Sequence, residues 1–164
     1  VPDLSMQDLL SAIPTQCFRR STLHSSMYVM IDFAQAAVLF YAASWIDPLT
    51  QDMHWSFLSM SEESTRSALR FILWGLYSFC QGLVFTGIWV LAHECGHQAF
   101  SPSKFINNTV GWFLHSALLV PYHSWRISHA RHHAATGHMT RDEVFVPSTR
   151  EERGLLPLPL TREH

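Results

Sequence analysis

Residues 71–92 form an unbroken stretch of 22 residues without a formally charged side chain, and His93 follows it directly. About 20 consecutive apolar residues let a helix cross the hydrocarbon core of a bilayer, and a slightly longer run can cross with tilt. A segment in lipid must satisfy its backbone polar groups within itself, which leaves a helix as the conformation for such a run. No other stretch limits the chain so strongly. It predicts a membrane-crossing helix that carries His93 out of the apolar layer at its end.

Residues 27–46 are a second run of crossing length, with Asp32 as the only charge. A buried helix of a soluble protein is the alternative for this run. Asp32 is expected near the headgroups or against a neighbouring helix. Between the runs lies a polar connection, 47–67, read as a short lumenal loop with Trp45 and Trp55 as interfacial aromatics. Arg19 and Arg20 precede the first run and place residues 1–26 in the cytosol by the positive-inside tendency, although Arg66 and Arg70 flank the lumenal end. Within that N-terminal segment, Ser5 and Asp8 open a short helical pattern of Met6, Leu9, Leu10 and Ile13 that Pro14 stops. A third apolar run, 109–122, is too short to cross and is expected to lie in the membrane interface, closed by Pro121. From Thr136 the chain reads as loop, and the final 155–160 stretch is apolar but broken by proline. The mean hydropathy of +0.06 is low, so the membrane reading rests on these local runs. The expected fold is an all-α membrane protein. Two transmembrane helices form a hairpin, joined by an interface helix and a cytosolic histidine-rich metal region, with residues 27–164 as one domain.

Eleven histidines are the anomaly of the composition. His93 and His97 stand at i and i+4, and His129, His132 and His133 at i, i+3 and i+4, so each set shares one helical face. Five imidazoles exceed the three protein ligands of a catalytic zinc. The reading is therefore a site for more than one metal ion, with iron preferred, suited to oxygen activation on an apolar substrate. Taken alone, His93-Glu94-Cys95-Gly96-His97 also satisfies H-E-x-x-H, which makes a membrane zinc metalloprotease the rival. That reading leaves His129, His132 and His133 without a role. Glu94 and Asp142, with Glu143 beside it, are candidates to brace a ligand imidazole from behind. His115 is expected to be a structural polar group, Cys95 packed, and His24, His54, His138 and His164 solvated. His123 lies near the second set without a required role. Gly87 and Gly96 suit close helix approach, and the six tryptophans suit interface anchoring or packing. Net charge of -2 and a pI near 6.6 give no footing for nucleic acid. Three cysteines, Cys17, Cys80 and Cys95, form no even disulfide framework.

Longer stretches carry a resemblance. Ile13-Pro14, Cys17-Phe18 and Arg20-Ser21 are followed by the continuous segment from Gly87 through His97, then Ala99-Phe100-Ser101. Leu119-Val120-Pro121-Tyr122, Ser124-Trp125, Ser128-His129, Arg131-His132-His133, Thr136-Gly137 and Arg141-Asp142-Glu143-Val144-Phe145-Val146-Pro147 complete the pattern. The chain resembles the membrane fatty acid desaturases, most closely the fungal and plant Δ12 (oleate) type. The resemblance implies a di-iron centre held by three histidine boxes, two of them present as His93/His97 and His129/His132/His133. The third lies downstream in the family, so the chain reads as an N-terminal fragment expected to be inactive alone. It further implies dioxygen as co-substrate, cytochrome b5 reduced with NADH as electron donor, and an acyl-phospholipid substrate in the endoplasmic reticulum membrane, with the boxes on the cytosolic side. Hydroxylases and acetylenases share the same boxes.

Overall fold

The computed structural model describes residues 5–54, 56–57, 60–146 and 148–155. Trp55, Pro147, His164 and most of the proline-broken 155–160 stretch lie outside the described residues. Among the described residues the chain is helical, without strands. It divides into two units, Val1–Leu119 and Val120–His164.

The first unit opens with helix α1, Met6–Ser11, held at its start by a capping box between Ser5 and Asp8. A 3-10 turn, Thr15–Phe18, follows Pro14. Helix α2, Thr22–Ala43, begins earlier than residue 27, because the Ser21 hydroxyl accepts the His24 N–H at 3.3 Å and caps it there. It stops at Ala43, short of the expected Ile46. Pro48 supplies the reason: in a continuous helix its ring would clash with the carbonyl four residues back, at Ser44. The chain instead breaks at Ser44 and Trp45 and restarts as α3, Ile46–Gln51, with Pro48 in the first turn where it is tolerated. The expected 47–67 loop is thus partly helical.

Helix α4, Glu62–Gly96, takes up the rest of that loop and runs for 35 residues, well beyond the expected 71–92. Ser61 accepts the Ser64 N–H at 3.2 Å, and Glu62 and Glu63 lie in the first turn, where carboxylates favour the helix dipole. At about 1.5 Å per residue α4 is about 52 Å long, far more than the roughly 30 Å apolar layer. Both its ends must therefore stand outside that layer if the middle crosses it. Helix α5, Lys104–Ala117, is also displaced from expectation (109–122): the Ser103 hydroxyl caps it, and Leu119 turns the chain at φ 61°. Pro121, expected to close this run, is instead the N-cap of the next helix.

Three contacts run in opposite order along α2–α3 and the α4 segment, so the two pack antiparallel. Asp47 accepts from Arg70 Nε at 2.9 Å and from Trp74 Nε1 at 3.3 Å at one end. In the middle, Asp32 sits over Gly87, where a Cβ would stand 3.0 Å from Oδ2. Glycine there permits the close approach expected of it. At the other end Thr22 Oγ1 meets Ser101 Oγ at 2.6 Å, just past α4. Helix α5 packs on α4 through Ile88, Ala92 and Leu114, all at most 3% exposed. The turn between them is held by Asn107, fully buried, whose amide donates to the carbonyls of Ser101 and Ser103, both at 2.7 Å, while its oxygen accepts the Ser101 N–H at 3.2 Å.

Helices α2 and α4 are each long and apolar enough to cross a membrane, yet only 11% of either apolar window is buried inside the molecule. Phe71, Phe79, Phe40 and Met30 stand at 65–81% exposure. A helix from a soluble core would bury such side chains, so the soluble alternative for the 27–46 run fits poorly.

The second unit holds helix α6, Tyr122–Ala134. The segment after it folds back on the helix: Thr136 Oγ1 donates to the His132 carbonyl at 2.9 Å, and Arg131 pairs with Glu143 at 3.0 Å. Gly137 turns at φ 70°.

Replacing Asn107 by Ala removes one acceptor and two donors from a buried turn, leaving Ser101 and Ser103 backbone groups without those partners. A loss of about 1–3 kcal/mol is expected. Thermal unfolding of the detergent-solubilised protein checks this, with Thr22→Val, at a less buried hydroxyl, as the milder comparison.

Candidate metal centre

Helix α4 keeps its 3.6-residue period through Gly96, with His97 as its C-cap, so His93 and His97 rise on one face one turn apart. Their Nε2 atoms are 3.2 Å from each other. The other nitrogen of His93, Nδ1, is 3.0 Å from Glu94 Oε1. A carboxylate on Nδ1 sets that nitrogen as the N–H and leaves Nε2 with its lone pair forward. Gln98, at φ 61°, reverses the chain just beyond, and its side-chain amide donates to the Cys95 carbonyl at 3.0 Å. Cys95 itself is fully buried, packed as expected.

On α6 the spacing acts in the same way. His129 Nε2 and His133 Nε2 are 3.0 Å apart. His132 stands on the adjoining face, its Nδ1 2.7 Å from Asp142 Oδ1. Asp142 is only 3% exposed, although it follows an exposed loop. The same oxygen accepts the N–H groups of Val144 and Phe145 at 2.9 and 3.1 Å, and Oδ2 accepts that of Gly137 at 2.9 Å. Burial opposes ionisation of this carboxyl. The bonds from His132, Phe145, Val144 and Gly137 outweigh it, so Asp142 titrates well below the ordinary carboxylate range. Glu143, the other candidate, faces away and pairs with Arg131.

A first-row ion fits each pair. With N–metal bonds of about 2.1 Å, two nitrogens 3.0–3.2 Å apart subtend about 90–100° at a shared ion. Imidazole nitrogens at this spacing, with the rear nitrogens of His93 and His132 held by carboxylates, are a donor set for zinc, copper or iron.

Other candidates resolve as follows. His115 is fully buried on α5, its ring 5.6 Å from that of Trp89, in keeping with a structural role. His24, His54 and His123 are exposed. His138, expected to be solvated, is half-buried: it sits in the turn after α6, and its Nδ1 accepts the Thr140 N–H at 3.2 Å. Two tryptophans pack on the histidines. The Trp89 indole lies on the His93 ring at 5.5 Å and 27°, and the Trp125 indole on His129 at 4.6 Å and 18°. Such aromatic pairs contribute about 0.5–1.5 kcal/mol beyond area burial. The packing expected of the tryptophans is here a contact with histidine, and its signal is the i, i+4 spacing of Trp and His.

The fatty acid desaturase family model matches residues 69–162. Among curated proteins, the chain is 51% identical to a Delta(12) fatty acid desaturase of Mortierella isabellina over 96% of its own length and 36% of the relative's. It is 46% identical to an oleate hydroxylase of Claviceps purpurea, over 93% of this chain and 29% of that one. It is 42% identical to an omega-6 fatty acid desaturase, endoplasmic reticulum, of Brassica juncea, over 92% and 35%. The chain thus spans about a third of the length of the curated relatives it matches. No solved structure matches.

Asp142→Ala removes the shared acceptor of three backbone amides. Amide hydrogen exchange at Gly137, Val144 and Phe145 is expected to accelerate by about tenfold or more, in line with the loss of charge-assisted bonds, while exchange along α4 stays unchanged.

Proposed function

Because the chain belongs to the fatty acid desaturase family, we propose that it forms part of an oxygen-dependent acyl-lipid desaturase that introduces a double bond at the Δ12 position of a fatty acyl chain. The observation that carries this reading is the paired geometry of the imidazoles. Two i, i+4 sets bring Nε2 atoms to 3.0–3.2 Å, while carboxylates hold the rear of His93 and His132. His93, His97, His129, His132 and His133 are the ligands this chain gives to a di-iron centre, and the rest of the longer protein completes it. Glu94 and Asp142 brace ligand rings from behind.

Two iron ions, when bound, supply the oxidising power, drawn from dioxygen, that an unactivated methylene requires. Such a carbon has no acidic proton for a base to take, so the protein contributes placement and exclusion. The balance is simple: two hydrogens leave the acyl chain, two electrons arrive from cytochrome b5 with two protons, and one dioxygen becomes two waters. Asp142 keeps the proton of His132 on Nδ1 and its lone pair on Nε2, and Glu94 does the same for His93. Helices α2 and α4 cross the endoplasmic reticulum membrane as a hairpin, and α5, about 21 Å long by its residue count, lies in the interface. Residues 1–26 and the histidine-bearing ends then face the cytosol, α3 faces the lumen, and residues 27–164 form part of the desaturase domain. A site at the lipid boundary lets an acyl-phospholipid reach it without crossing water.

The zinc metalloprotease reading is less well supported. That chemistry needs the glutamate of H-E-x-x-H at the open coordination position. Glu94 instead contacts His93 Nδ1, on the side of the ring away from Nε2. The oleate hydroxylase relative keeps hydroxylation as a second outcome of the same site.

The full-length protein, expressed in a cell that makes oleoyl lipids but no diunsaturated ones, is expected to produce the diunsaturated acyl chain and to purify with iron. Alanine at any one of His93, His97, His129, His132 or His133 is expected to abolish the product. Diunsaturated lipid persisting in His132→Ala, or stoichiometric zinc in place of iron, overturns the reading.

A further inference from the structure

The two histidine-bearing helices share one more feature, and it includes tryptophan. Trp89, His93 and His97 are spaced four residues apart, and so are Trp125, His129 and His133. On each helix the rings are arranged alike. The indole lies flat on the first imidazole, at 27° on α4 and 18° on α6. That imidazole then meets the next edge-on, at 76° and 82°, with both centroid separations 4.5 Å. We propose that Trp89 and Trp125 are positioning residues: each indole fixes the ring plane of the histidine one turn on, and so the direction in which its Nε2 faces the metal.

Helix α4 is long and apolar where α6 is short and polar, yet both build the same stack, so a general preference of apolar helices for tryptophan does not account for it. Other tryptophans make a different contact. Trp45 meets Tyr41 at 78° and Trp74 meets Tyr77 at 81°, both edge-on. Among the described residues, flat stacking of an indole on a histidine is seen at Trp89 and Trp125, where that histidine is a proposed ligand.

The physical basis is the softness of the imidazole. Its second side-chain torsion joins an sp³ to an sp² carbon and is broad, so the ring plane is poorly fixed by rotamer preference alone. A flat neighbour removes that freedom. An electron-rich indole face also favours a ring made electron-poor by a bound cation. On α4 the indole is itself backed by His115, 5.6 Å away and fully buried, so α5 helps to set its plane.

This inference rests on the reading of His93 and His129 as metal ligands, and the experiment separates the two. The full-length protein is purified with its metal, and release to a chelator is timed for the wild type, for Phe and Leu at Trp89 and at Trp125, and for Trp112→Leu, an exposed tryptophan on α5. Losing an outer support of a metal ligand typically weakens binding about 10–100-fold. Leu variants are expected to release metal about 10-fold faster or more and Phe variants about threefold faster, scaled to the same effect, with Trp112→Leu at the wild-type rate. A wild-type rate in the Phe variants overturns the inference, and this arm stands if a Leu variant does not fold. So does a Phe loss equal to that of Leu, or an equal loss in Trp112→Leu. A wild type that holds zinc overturns the desaturase reading alone, since zinc release then judges the stacking in the same variants. A wild type that holds neither metal overturns both.

Discussion

A continuous hydrogen-bonded helix from Glu62 to Gly96 ties an apolar run of membrane-crossing length to a histidine-bearing face without any hinge between them. Its backbone N–H and C=O groups are satisfied within the helix, as a segment in lipid would require. The period it keeps through the apolar part places Trp89, His93 and, at the cap, His97 on one face. Helix α2 and helix α5 both read as supports for this rod. Asp32 over Gly87 and the Ile88–Ala92–Leu114 cluster hold it from two sides, and Asn107 fixes the turn immediately after the second histidine.

The sequence disclosed the apolar spans and the histidine spacing because both follow from local periodicity. Helix limits were less legible, for reasons that can be named. Ser21 and Ser61 each accept an N–H from three residues ahead, and such caps start a helix before its apolar run does. The apolar run alone therefore puts the start of α2 five residues late and that of α4 nine residues late. Pro121 is legible as a break, but it begins the helix that follows as much as it ends the run before. Asp142 was visible only as a candidate, since its partners Gly137, Val144 and Phe145 are backbone groups that any residue supplies. The Asn107 turn left no sequence signal for the same reason: its acceptors are carbonyls.

The tryptophans were legible as packing or anchoring residues, but not in what they pack against. For Trp89 and Trp125 the decisive information was relational, a spacing of four to a histidine. The same period groups the histidines among themselves. Extending the same period one turn towards the N-terminus reaches an indole in both cases.

The two histidine sets differ in how firmly they are prepared, and the difference follows from where each carboxylate comes from. Glu94 is the sequence neighbour of His93, and its side chain is 45% exposed. An acceptor that shares its attention with water holds a ring loosely. Asp142 reaches His132 from ten residues away, with no exposed side-chain surface, and is itself fixed by three backbone N–H groups. Its position is therefore set by the fold of the 137–145 segment and not by a rotamer choice. The His132 ring is thus held by the fold of its own segment, whereas the His93 ring relies on the rigidity of its helix, on Glu94 and on the stacked Trp89 indole. Both are routes to one end, an imidazole ring held in place before anything binds to it, which is what the proposed metal site would ask of the protein.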